Sequence, residues 1–181
     1  VYKRQLMAYC EANDRHMTFR AAGTSLNGQA MSDDILVDVK THFSGMEVRD
    51  GGTKLWSRPG VILGDAQAVL ARHGFMLGPD PGSTSVCTIG GVLADNSGGM
   101  RCSLERDSYH SVEELVFVLP SGTIVDTARG DEVFRAQEPK LHADLLAFRD
   151  KLRANTDMVT FLRTKFSIRN TNGLRIDAFL D

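Results

Sequence analysis

No stretch of this chain approaches the roughly 20 consecutive apolar residues that cross a bilayer, and no signal-peptide pattern opens it. A membrane-spanning segment is therefore not expected. Basic residues are nowhere massed. The 21 Lys and Arg are spread among 23 Asp and Glu, for a formal charge of −2. A nucleic-acid partner normally demands a basic patch or stripe, so no such partner is expected. Cysteine is scarce: Cys10, Cys87 and Cys102 are odd in number, widely spaced, and form no C-x-x-C. That pattern excludes a disulfide framework and a zinc site, and reads as small, buried, reduced thiols in a cytoplasmic protein.

Other absences narrow the chemistry. His16, His42, His73, His110 and His142 lie far apart, with neither H-x-x-x-H nor H-E-x-x-H spacing, so no metal site is expected. They read as surface or loop histidines, and only His110, beside Tyr109, lies close to a candidate loop. Ser25 lacks the G-x-S-x-G elbow of a hydrolase. No G-x-G-x-x-G occurs, which leaves a Rossmann nicotinamide site without support. Asp33-Asp34 reads as an acidic pair facing solvent ahead of a strand.

What remains is enough to build a core. The chain has 181 residues, 42% of them hydrophobic, sufficient for one domain or two small lobes. The periodicity predicts a helix over Lys3–Asn13, strands at Met17–Arg20 and Ile35–Val39, and a hairpin of Met46–Val48 with Lys54–Trp56 around Asp50-Gly51-Gly52. Pro59-Gly60 breaks the chain before a helix over Leu63–His73. A second helix begins at the glycine pair of Thr88–Ala94. Val112–Leu119 and Thr123–Asp126 are expected to pair across Pro120-Ser121-Gly122. From Gly130 to Arg163 the pattern is helical, with Leu141, Leu145, Leu146, Phe148 and Leu152 as an apolar stripe destined for the core. Strands and helices occur without regular β-helix-β alternation, so the fold class is α+β. Val1–Glu11 reads as the middle of a helix and the apolar run near Leu180 stops without a terminating signal, which predicts a fragment.

The loops are the informative part. In Phe19–Ala30 (FRAAGTSLNGQA), small residues allow a backbone to approach a bulky anion, and successive free N–H groups can form a concave nest. Gly23 and Gly28 have P-loop spacing, but Gln29-Ala30 stands where that motif requires Lys-Ser/Thr, so triphosphate chemistry is excluded. Taken alone, the loop fits either a phosphate site or an ordinary turn. The second stretch, Gly78–Gly91 (GPDPGSTSVCTIGG) followed by Asn96-Ser97-Gly98-Gly99, joins stiffening prolines to close-approach glycines and hydroxyls. Two such loops suit an elongated ligand such as a dinucleotide, the alternative being a glycine-rich crossover between layers.

These phrases, with Lys165–Leu180 (KFSIRNTNGLRIDAFL), resemble the FAD-binding PCMH-type domain of the vanillyl-alcohol oxidase family. They are closest to FAD-linked D-lactate dehydrogenases that carry an iron–sulfur region. The resemblance implies an α+β, two-lobed domain, with residues 1–57 and 58–181 as its lobes. Amides of Ala22, Gly23, Thr24 and Ser25 and their neighbours from Ala21 to Gly28 would hold the FAD pyrophosphate. Pro79, Asp80 and Pro81 would line the cofactor channel, with Ser83 near the diphosphate or ribityl chain. Thr88, Ile89, Gly90 and Gly91 would run under the flavin, and Asn96, Ser97 and Gly98 would close around it.

FAD would be held non-covalently, with no metal in this chain and an iron–sulfur cluster in a further region. The implied activity is oxidation of a (R)-2-hydroxy acid such as D-lactate, with electrons passing to an iron–sulfur cluster, quinone or cytochrome. Peripheral association with the inner membrane is implied as a variant of the cytoplasmic location. Two alternatives stand beside this reading. One is another oxidoreductase on the same scaffold, acting on glycolate, 2-hydroxyglutarate or a sugar acid; the other is a non-catalytic nucleotide-binding module. The family's later Gly-Ser-Glu-Gly-Thr-Leu-like flavin segment and its substrate cap have no counterpart here, so no catalytic residue is assigned.

Overall fold

The computed structural model of the chain describes residues 2–169 and 174–181. It has mixed helices and strands, the expected α+β class. Two compact units form, each considered by itself: a central unit spanning His16–Ser111, and a unit made from the flanking segments 2–15, 112–169 and 175–181.

In the central unit, β1 (Met17–Arg20) and β2 (Ile35–Asp38) pair in parallel, with Arg20 opposite Asp38. The hairpin β3 (Met46–Arg49) and β4 (Lys54–Ser57) is antiparallel and turns through Asp50–Gly52, where Gly51 has φ 68°. That left-handed backbone is why glycine suits the turn. Gly60 sits where a Cβ would come within 2.7 Å of the Phe43 carbonyl oxygen, so the 59–61 segment can lie directly on the chain after β2. Helix α2 (Leu63–Ala71) follows and buries Leu63, Ala66 and Leu70 at one-face spacing. Leu63, Cys87 and Val92 form the core cluster, flanked by Leu77 and Ile89. Helix α3 (Ile89–Ala94) is capped by Thr88, and the short α4 (Ser108–Ser111) packs against it.

The flanking unit holds α1 (Tyr2–Ala12), the hairpin β5 (Val116–Val118) with β6 (Ile124–Asp126), and helices α5 (Glu132–Gln137), α6 (Pro139–Ala154) and α7 (Thr156–Phe166). The helical pattern expected over Gly130–Arg163 is therefore three helices. Pro139 has no N–H to continue α5 and opens α6 instead. Asn155 ends α6 and caps α7, its side chain accepting the Met158 N–H at 3.0 Å.

The expected core stripe on α6 is covered only at its end. Leu152 is buried, whereas Leu141, Leu145, Leu146 and Phe148 are 37–43% exposed. Phe148 meets Phe179 of the 3-10 turn Ile176–Leu180 edge to face, at 5.1 Å between centroids. The middle of the KFSIRNTNGLRIDAFL phrase, residues 170–173, lies outside the described residues. All three cysteines are free and buried, as expected. Asp33 faces solvent as expected, its side chain 90% exposed, whereas the Asp34 side chain, 10% exposed, turns inward to His16. The His16 N–H donates to Asp34 at 2.9 Å, and its ring nitrogen lies 2.6 Å from Asp33, an interaction that holds the Asp33 carboxyl below the usual range.

Candidate functional site

Every candidate cofactor-binding residue falls within the central unit. The first loop leaves β1 directly, so its position is set by the parallel β1–β2 pairing. From Ala21 to Gly28 the backbone has neither helix nor strand, and Gly23 and Gly28 take left-handed φ values of 70° and 77°. Among the described residues, no backbone N–H from Ala21 to Asn27 donates to a protein acceptor, and Leu26-Asn27 form a turn that brings the Gly28 N–H back toward the Ser25 carbonyl. The carbonyl of Gly28 accepts from Met31 at 3.0 Å and Ser25 Oγ donates to Gln29 Oε1. The loop contains no carboxylate.

A folded chain normally pairs its backbone N–H groups or gives them to water or a ligand. A run of seven such groups without protein acceptors, mostly on small residues and with no negative charge, is a surface for an anion. A diphosphate meets that description: several charge-assisted N–H···O bonds, each worth about 1.5–3 kcal/mol, replace its hydration. The residues present fit the pyrophosphate of FAD.

The second loop is built differently: it is a tied scaffold. Helix α2 grips it through Gln67, whose amide accepts from the Leu77 N–H and donates to the Leu77 carbonyl, both at 3.0 Å, and reaches the Pro79 carbonyl at 3.4 Å. The first free amides of α2 are also used here. Leu63 N–H donates to Cys87 and Gly64 N–H to Thr84, both at 2.9 Å. Pro81 accepts from the Thr84 N–H and hydroxyl, and Ser83 accepts from Val86 and Cys87. Burial pushes the Cys87 thiol above its ordinary pKa, which suits packing and not reactivity.

Asp80 closes this loop onto Asn96–Gly98. Its N–H donates to the Gly98 carbonyl at 3.1 Å, and its carboxylate accepts from the Arg101 N–H at 3.0 Å and from Arg101 Nε at 2.8 Å. Asp80, with Pro79 and Pro81 on either side, is thereby tied to Gly98 and bridges Gly99 in parallel. Asn96, at φ 47°, accepts from the Tyr109 N–H at 3.0 Å, and the Ser97 carbonyl accepts from buried Ser108 at 2.7 Å. A Cβ on Gly98 would come within 3.3 Å of the buried Cys102 sulfur.

The Thr88–Gly91 segment spends its polar groups inside the protein. Thr88 is buried, and its hydroxyl accepts the Gly91 N–H at 3.3 Å. Ile89 N–H donates to Val61 at 2.8 Å and Gly90 N–H to Pro59 at 2.9 Å. These N–H donors are thus used internally, while the free donors lie in the first loop. His110, placed by α4, donates its backbone N–H to Asp107 at 2.9 Å, and its Nδ1 lies 2.7 Å from the same carboxylate.

Sequence reasoning omitted Arg20, Gln67 and Arg101. Arg20 carried a signal, since it is the charged residue immediately before the small-residue loop. Gln67 and Arg101 carried none, because their partners are main-chain groups and a carboxylate 10–21 residues away. Among the described residues there is no group of three or more His, Cys, Asp or Glu that could hold a metal. No helix among them is long and apolar enough to cross a membrane.

Comparison with known proteins agrees with this geometry. The chain is 33% identical over 113 residues to the glycolate oxidase subunit GlcD of Escherichia coli K12, a match covering 61% of the chain and 22% of that subunit. It is 31% identical over 108 residues to D-2-hydroxyglutarate dehydrogenase of Pseudomonas putida, covering 59% of the chain and 11% of that enzyme. The chain thus spans about a fifth or less of the length of these curated relatives. The crystal structure of 6-hydroxy-D-nicotine oxidase from Arthrobacter nicotinovorans shares the fold, with a TM-score of 0.57 at 21% identity, covering 68% of this chain and 27% of that one. Residues 4–128, more than two thirds of the sequence and including every candidate site residue, match the family described as FAD binding domain, and the chain belongs to that family.

Proposed function

We propose that this chain holds non-covalent FAD for a flavin-linked dehydrogenase or oxidase of (R)-2-hydroxy acids such as D-lactate. The observation that carries the reading is the run of backbone N–H groups from Ala21 to Asn27 without protein acceptors, inside the segment that matches the FAD binding domain family. The family supplies the cofactor, and the loop supplies donors of the kind its diphosphate requires.

In this reading residues 1–57 and 58–181 act as two FAD-binding lobes. The first contributes the pyrophosphate loop, and the second contributes the tied surface around Pro79–Ser83, Thr88–Gly91 and Asn96–Gly98. The division follows which residues serve the ligand, and so differs from the compact units, whose boundaries fall after residues 15 and 111. Bound FAD would supply the acceptor, at N5, for the hydride of the α-carbon, with the hydroxyl proton passing to a general base, as a 2-hydroxy acid becomes a 2-oxo acid. The residues of this chain hold and orient. Gln67 and Asp80 keep the second loop in one conformation, so little ordering entropy remains to oppose binding.

The relatives named for glycolate and D-2-hydroxyglutarate favour small 2-hydroxy acids as the substrate class. The loop phrases and the KFSIRNTNGLRIDAFL segment favour D-lactate and an iron–sulfur-linked route, with a quinone or cytochrome as the alternative acceptor. The test is anaerobic mixing of the FAD-loaded, full-length protein with D-lactate, L-lactate, glycolate and D-2-hydroxyglutarate. Bleaching of the flavin absorbance by D-lactate and not by L-lactate is expected. Bleaching by glycolate or D-2-hydroxyglutarate alone reassigns the substrate, and no bleaching by any hydroxy acid overturns the reading.

A further inference from the structure

Arg20, the last residue of β1, packs directly against the loop that follows it. A Cβ built on Gly23 would lie 2.6, 2.7 and 2.9 Å from Arg20 Nη2, Cζ and Nε. Such similar distances mean that the guanidinium presents its flat face to Gly23 rather than an edge. Its Nη1 reaches the Ala30 carbonyl at 3.4 Å, on the far side of the loop. The side chain therefore packs on Gly23 and reaches the carbonyl two residues past Gly28.

Its charge is not neutralised. Asp38, the register partner of Arg20 on β2, gives its carboxylate to Lys40, accepting the backbone N–H at 2.8 Å and lying 3.7 Å from the ammonium. Arg20 makes no ion pair among the described residues, and its Nε and Nη2 protons have no protein acceptor there. A half-buried guanidinium left uncompensated, in a loop whose backbone amides from Ala21 to Asn27 have no protein acceptor, is a fixed positive charge in a site already lacking negative charge. Arginine suits this post, because its planar fork is pre-organised and binds phosphate oxygens in two-pronged fashion.

We propose that Arg20 is the charge-bearing positioning residue of the pyrophosphate loop. Its face holds Gly23 in the left-handed conformation, and its in-plane N–H groups supply the positive charge that draws in the diphosphate. The inference rests on the FAD reading above and adds the residue on which that reading's electrostatics depend.

The experiment is FAD titration of the purified full-length protein and its R20Q and R20K variants, at about 50 and about 300 mM salt, with riboflavin as the phosphate-free comparison and urea midpoints as the folding control. R20Q is expected to weaken FAD on the order of tenfold or more at low salt, with most of the salt dependence lost and riboflavin affinity unchanged. R20K keeps the charge on a flexible stem, and is expected to retain the salt dependence with a smaller loss. Equal FAD affinity and equal salt dependence in all three proteins overturns the proposal. So does a parallel loss of FAD affinity, riboflavin affinity and stability in R20Q with the salt dependence of its remaining FAD binding unchanged from wild type, since that pattern marks a purely structural residue. If R20Q does not fold, R20K decides, and loss of salt dependence despite the retained charge counts against the proposal. Failure of the wild-type protein to bind FAD is a separate result that removes the FAD reading itself.

Discussion

Gly23→Ala is the sharpest perturbation of the first loop, because two costs of different origin meet at one atom. The residue sits at φ 70°, and an alanine there costs about 1–2 kcal/mol from backbone sterics alone. Its methyl group would also stand 2.6–2.9 Å from three atoms of the Arg20 guanidinium, which must then leave its place against Gly23. Gly28→Ala supplies the control: φ is 77°, yet the nearest atom to a Cβ is the Met31 sulfur at 3.8 Å, so only the backbone cost applies. The displaced guanidinium adds on the order of 1 kcal/mol or more in Gly23→Ala, through lost contact and a lost hydrogen bond. The assay is urea unfolding of both alanine variants, each with and without Arg20→Ala. With Arg20 truncated, Gly23→Ala is expected to cost no more than Gly28→Ala, giving a coupling of about 1 kcal/mol between positions 20 and 23. Additivity of the two substitutions within about 0.5 kcal/mol refutes the reasoning.

Three further outcomes follow from the second loop and the flanking unit. Asp80→Ala removes the acceptor of two Arg101 donors and is expected to destabilise by about 1–2 kcal/mol, with FAD binding weakened in step; unchanged urea midpoint and FAD affinity contradict the scaffold role. Thr88→Val keeps the volume and loses the α3 cap, an expected cost of about 1 kcal/mol read from the same midpoint, and no shift contradicts the capping role. In the flanking unit, hydroxyl hydrogen bonds from Ser121 and Thr123 hold the Glu138 carboxyl below its ordinary pKa. A lowered folded value means that this stability is complete above the ordinary value of about 4.3 and is lost as pH falls through the folded value. Glu138→Gln is therefore expected to flatten the fall in melting temperature below about pH 4.5, and identical curves for both proteins contradict the assignment.

Much of this was legible in the residues. The strand Met17–Arg20, the hairpin around Gly51 and the break at Pro59-Gly60 are local features, set by alternation and by turn chemistry that a few neighbouring residues carry. The two candidate cofactor loops were visible because small residues and glycines occur there in runs. What stayed hidden depends on distance along the chain. That Thr88–Gly91 spends its donors on Val61 and Pro59 is decided by packing across 28–31 residues, which no local pattern encodes. Likewise, the stripe from Leu141 to Leu152 has helical spacing regardless of what covers it, so periodicity located the face but not its burial. His16 between Asp33 and Asp34 was missed for the same reason: β1 and β2 bring their starts together only in three dimensions.

The central claim is that the loop from Ala21 to Gly28 carries an FAD pyrophosphate. Its most direct test is the visible spectrum of the purified protein after addition of FAD and desalting, with and without a large excess of inorganic pyrophosphate. The account predicts retained flavin bands near about 370 and about 450 nm that pyrophosphate displaces, and that Gly23→Ala weakens. A folded protein that stays colourless, or one whose flavin is indifferent to both pyrophosphate and Gly23→Ala, contradicts it.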